Sequence, residues 1–125
     1  MDETLFSMIG CAYCHTPSLQ TGRYASEALS NKSVNLYSDL LLHNMGSGLA
    51  DDIQQGVASG FEFRTAPLWG LGQRIFFLHD GRTKDLLEAI RAHSSSGSEA
   101  NRVVGIFSGL AEGQKQDILN FLRSL

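Results

Sequence analysis

The chain has 125 residues, which suits one domain with a modest core. Apolar residues make up 42% and charged residues 18%, a balance that excludes a disordered chain, and no apolar run is long enough to span a bilayer. The formal net charge of -3 provides no basic stripe for nucleic acid.

Residues from Asp2 to Cys14 read as an amphipathic helix. Leu5, Met8 and Ile9 stand at helical spacing, and Asp2 and Glu3 sit in the first turn, where the dipole favours acids. Its end, "GCAYCHTP", holds the only two cysteines of the chain. The spacing C-x-x-C serves a dithiol couple, half a zinc site, or attachment of a c-type haem. A zinc site needs further soft ligands that no other cysteine supplies, and a dithiol couple belongs in a strand–helix setting that is absent here. His15, directly after Cys14, decides for haem. Cys11 and Cys14 share one side of a turn and can form thioethers to the two vinyl groups of a porphyrin, with the imidazole of His15 as the proximal iron ligand. One covalent haem c per chain is therefore the expected cofactor. Pro17 stops the helix.

The start "MDETLFSMIG" reads as a folded helix, not as a basic leader followed by an apolar stretch. Covalent haem attachment takes place outside the cytoplasm. The expected location is thus periplasmic or otherwise extracytoplasmic, with Met1 opening a mature fragment or excised domain that has no export signal of its own.

Ser18 to Asn35 is polar and reads as a long loop. A short helix is expected around Leu36–His43, ending at "NMGSG", and the glycine-rich, acidic stretch Gly46–Gly60 reads as loop again. "RTAPLWGLGQRIFFLHDG" has no clean period and suits a segment that wraps a cofactor. There Arg64 can pair with a haem propionate through its fork, and Pro67, Leu68 and Trp69 can form a haem wall. Phe76 and Phe77 read as core. Thr83 is the expected N-cap of a helix through Lys84–His93, with Leu86, Leu87 and Ile90 inward. "SSSGSEAN" reads as a flexible turn. The last helix is expected from Ala111 to Leu125, burying Ile118, Leu119, Leu122 and Leu125. With no strand alternation visible, the expected class is all-α, one single-haem domain over residues 1–125.

A first helix bearing C-x-x-C-H and an apolar last helix resemble the cytochrome c fold, in which those helices cross and long loops wrap the haem. "LYSDLLLHNMGSGLAD", "FRTAPLWGLG", "FLHDGRTKDLLEAI" and "ILNFLRSL" resemble, in that order, the C-terminal haem domain of bacterial di-haem oxidoreductases, relatives of the di-haem cytochrome c peroxidases. The likeness covers Leu5 to Leu125. It implies a fragment of a larger protein whose other haem domain precedes this one. The family's compact "HGGEA"-like turn is here the longer "HSSSGSEA".

The second axial position has four candidates: His43, Met45, His79 and His93. Composition alone favours Met45, the usual loop partner of a proximal histidine in electron transfer. The resemblance implies His93, fourteen residues after His79 of "FLHDG". His79 and Asp80 are better suited to holding a turn near the ring edge. The expected function is single-electron transfer through a six-coordinate low-spin haem, to a redox partner protein or a preceding haem domain, with no nucleic acid and no membrane span. The alternative is a peroxidase-like haem with an open distal face, where His79 or His93 acts as acid–base. A haem-based sensor or storage module has no feature in its favour.

Overall fold

A computed structural model describes residues 3–125; Met1 and the first-turn residue Asp2 lie outside the described residues. In chain order the elements are α1 (Glu3–Met8), a 3-10 turn (Cys11–Tyr13), β1 (Leu19–Gln20), β2 (Ser33–Val34), β3 (Leu42–Asn44), β4 (Glu62–Arg64), a second 3-10 turn (Leu71–Gln73), α2 (Leu86–Ala92), α3 (Asn101–Ser108) and α4 (Glu112–Ser124). The strands form two separate antiparallel pairs. β1 joins β2 with Leu19 opposite Val34, and β3 joins β4 with His43 opposite Phe63.

The architecture is mixed, which corrects the all-α, cytochrome c-like expectation. α1 packs against α4, but a contact between two helices does not constitute that fold. The helix expected at Leu36–His43 is not formed. Leu40 takes a left-handed conformation (φ 61), and the hydroxyl of Ser38 captures the Leu40 N–H at 2.9 Å, so the run "DLLLH" cannot wind and its end pairs as β3 instead.

Helix α1 also ends earlier than expected. Gly10, at φ 106, turns the chain in a way a side chain would oppose, and Cys11–Tyr13 follows as a tight turn rather than a last helical turn. Asp85, not Thr83, caps α2, its carboxylate accepting from Leu87 N–H at 2.7 Å. Thr83 braces the cap by accepting from Asp85 N–H at 3.0 Å. The segment after "SSSGSEAN" forms α3, which its two valines and Gly105 conceal from a propensity reading.

One core gathers Phe6 and Ile9, Leu71, Leu86, Phe107, and Ile118, Leu119, Phe121 and Leu122 of α4. α4 matches its expected span to within one residue at each end, because a four-residue apolar stripe over 13 residues leaves little freedom. Leu125 packs at the edge of this core rather than inside it. Met8 and Phe76, both expected inside, are mostly exposed.

Candidate functional site

The turn that carries His15 is held by a segment more than twenty residues away. Asp39 N–H donates to Cys14 O (2.8 Å), Ser38 N–H to Thr16 O (2.9 Å) and Tyr37 N–H to Pro17 O (3.3 Å). Ser38 is fully buried and its hydroxyl donates to Thr65 O at 2.7 Å, which ties this segment to the end of β4. Tyr37 is left-handed at φ 54, a conformation rare for an aromatic residue and one that marks a constrained site. Its carbonyl lies 3.1 Å from Nδ1 of His15.

His93 caps the C-terminus of α2. Its own N–H bonds Ile90 O, which leaves the carbonyl of Ala89 for the imidazole, Nδ1 donating at 2.7 Å. A carbonyl can only accept, so both rings carry their proton on Nδ1 and keep a lone pair on Nε2. Neither Nε2 has a hydrogen-bond partner among the described residues, and neither is sealed away as an orphaned buried atom.

The two rings lie with centroids 6.4 Å apart and planes at 56°. Burial lowers the pKa of both. His15 falls to about 4, its Tyr37 bond only partly offsetting the loss of water, and His93 falls likewise despite its bond to Ala89. At neutral pH the site presents two neutral imidazoles, which is the ligating form. A metal–nitrogen bond of about 2 Å and a further ~1 Å to the ring centre, on each side, place two rings sharing one metal roughly 6 Å apart. The observed pair has that spacing.

Aromatic side chains tie the pair to the core. Phe6 sits 6.4 Å from His15 and 5.3 Å from Phe121, and Tyr37 lies 5.7 Å from Phe121, with its hydroxyl donating to Glu3 at 3.1 Å.

Burial also pushes the Cys11 thiol up to about 12, and raises Cys14, where Asp39 and Glu99 add repulsion. Reactive dithiols have lowered values, so the pair is poorly suited to thiol–disulfide exchange. Cys14, Asp39 and His43 bring their donor atoms within 4.8 Å of one another. Both nitrogens of His43 are nevertheless engaged by carboxylates, Nε2 with Asp39 and Nδ1 with Glu99, each at 2.8 Å. Burial alone would lower the His43 pKa, but these two bonds more than offset it and the net shift is upward. While protonated, His43 bridges the two carboxylates and has no lone pair left for a metal.

That bridge continues into the segment after His93. The second oxygen of Glu99 accepts from Asn44 N–H at 2.9 Å, and Glu99 N–H donates to Asn44 O at 2.9 Å. Ser95 Oγ accepts from Gly48 N–H and reaches Met45 O, while Ser98 Oγ donates to His93 O and accepts from Ala100 N–H. The serine stretch expected to be a flexible turn is a hydrogen-bonded latch across the Met45–Gly48 loop. Met45 is half-buried there, its N–H donating to Phe61 O at 2.9 Å.

The other expected site residues gather elsewhere. His79 stacks on Phe63 (4.3 Å, 29°) with Nε2 3.7 Å from Asp51. Phe63, Asp51 and Arg64 line a cleft of about 150 Å³. Arg64 forms no ion pair among the described residues; Glu62 instead accepts from Ser59 N–H at 2.8 Å. Leu68 packs on the core and Pro67 is half-buried, whereas Trp69 is 52% exposed, which excludes a tryptophan wholly inside the core. Tyr37, Ser38 and Ser98 are site residues that sequence reasoning did not single out. The polar run "SSSGS" beside a candidate ligand was the one signal for the last of them.

Residues 2–125 match the model of a family described as "Di-haem oxidoreductase, putative peroxidase". No curated protein and no solved structure gave a significant match. Among the described residues, no helix is long and apolar enough to cross a membrane.

Proposed function

Since the chain belongs to the di-haem oxidoreductase family, it is a haem-related oxidoreductase domain, and we propose that it passes single electrons through one covalently held haem c with two histidine ligands. The observation that carries this reading is the pair of neutral, Nδ1-protonated imidazoles of His15 and His93, 6.4 Å apart. Cys11 and Cys14 would hold the group through thioethers, and His15 and His93 through Nε2, with Met45 the alternative to His93. Bound there, haem supplies a one-electron Fe(III)/Fe(II) couple.

The chain's own residues do the positioning. Tyr37 O and Ala89 O orient the two rings and fix their tautomers, as hydrogen-bonded outer groups do at metal sites generally. Two ligating imidazoles would exclude substrate from the iron, and electron transfer would then be the work of the domain. Arg64, free of ion pairs among the described residues, would face a propionate. Pro67, Leu68 and Trp69 would form the wall, and half-exposed Trp69 suits an apolar surface toward a second haem domain or redox partner. Thioether attachment, formed as proposed, would go with a periplasmic or other extracytoplasmic location.

The family description supports a peroxidase as the second reading, in which His93, or His79 beside Asp51, handles protons at an open distal face. The optical spectrum of the oxidised, haem-loaded chain tests the choice, together with turnover on peroxide and a reduced donor. A low-spin spectrum without multiple turnover is expected. High-spin iron turning over on the order of 1–1,000 per second would overturn the electron-transfer reading.

A further inference from the structure

On the surface where the end of α4 meets the second 3-10 turn lies a cavity of about 410 Å³, separate from the imidazole pair and within the size range of small-molecule sites. Its apolar floor includes Phe77 and Leu86, and Arg74, Lys84 and Arg123 stand around it. Three of the ten lysines and arginines of an acidic chain thus converge on one concavity.

None of the three forms an ion pair among the described residues. Two are held in place by uncharged groups instead. Arg74 donates from its guanidinium to Pro67 O at 3.3 Å, and the Lys84 ammonium sits 4.9 Å from the centre of the Phe76 ring. Both are oriented without being neutralised. The one carboxylate at the cavity, Asp85, is spent on the first turn of α2, accepting from Leu87 N–H and Glu88 N–H.

From this arrangement we propose that the cavity binds a small polyanion, a compact molecule with two or more phosphate or carboxylate groups. Three separately mounted cations match several anionic oxygens better than one. Arginine supplies a planar fork for two of them, and lysine a point charge for another. A monovalent anion would gain from only part of the set.

Isothermal titration of the purified chain with citrate and with inorganic pyrophosphate, at constant sodium chloride, tests the proposal. One saturable site is expected for at least one probe, and the probe that binds assigns the carboxylate or phosphate class. Arg74→Gln combined with Lys84→Gln should weaken binding at least tenfold, and Lys84→Gln alone should weaken it measurably if the double variant folds poorly. Arg102→Gln, at an exposed arginine outside the cavity, should bind as the unmodified chain does. Absence of saturable binding to either probe, undiminished binding by the Arg74 and Lys84 variants, or an equal loss in the Arg102 variant would each overturn it.

Discussion

The imidazole of His93 stands 6.4 Å, centre to centre, from that of His15, and each spends its Nδ1 proton on a main-chain carbonyl. Each ring therefore offers one nitrogen lone pair and no charge. His93→Ala in the haem-loaded chain should convert a low-spin spectrum to a high-spin or water-ligated one and open rapid binding of cyanide or carbon monoxide. Met45→Ala should leave the low-spin spectrum in place. Loss of that spectrum in the Met45 variant alone would assign the ligand to methionine, with a higher reduction potential.

The proposed covalent attachment would need both cysteines. The intact protein should exceed the mass of its polypeptide by one haem and retain colour in acidified organic solvent. Cys11→Ala or Cys14→Ala leaves at most one thioether, and the haem should then be extracted more readily. Free extraction of haem from the unmodified chain would defeat the attachment reading.

The His43 bridge makes stability depend on pH in a defined window. Its pKa is raised in the folded state, so its contribution is complete below about 6.5, the ordinary histidine value, and is lost as pH rises through the higher folded value. Its partners are shifted the other way. Burial opposes the shift at Asp39, but bonds from Leu41 N–H and His43 lower it. Glu99 is lowered by Asn44 N–H and then by His43. Their contribution is present above the ordinary carboxylate range and lost as pH falls through their lowered values. Thermal midpoints measured across pH 5–9 should fall on the alkaline side in the parent chain and change less in His43→Gln. Parallel curves for the two proteins would remove the bridge from the account.

Ser98 is buried and serves two main-chain groups at once, the carbonyl of His93 and the N–H of Ala100. Ser98→Ala strands both near the candidate ligand. Urea unfolding should show a loss of about 1–3 kcal/mol, the usual cost of leaving buried polar groups unpaired. Ser108→Ala, which removes only a hydroxyl that bonds back onto its own helix at Val104 O, should cost less. Equal losses at the two serines would mean that the latch adds nothing to stability.

What the amino-acid order settled by itself is local. Cys11, Cys14 and His15 are placed by a spacing of four consecutive chain steps, and α4 by apolar residues recurring on one helical face, so both could be read without knowing any distant contact. His93 became a candidate through the likeness of "FLHDGRTKDLLEAI" to a family motif, whereas composition alone favoured Met45. The tertiary structure decided the rest. Strands of two or three residues are too short to show alternation, and β1 to β4 exist only because each finds its partner. Whether His43 ligates or bridges depends on Glu99, 56 residues away. Which nitrogen of His15 is free depends on Tyr37, 22 residues away and held left-handed. Short-range order follows from steric periodicity along the chain, whereas a side chain's protonation and role follow from whichever groups folding sets beside it.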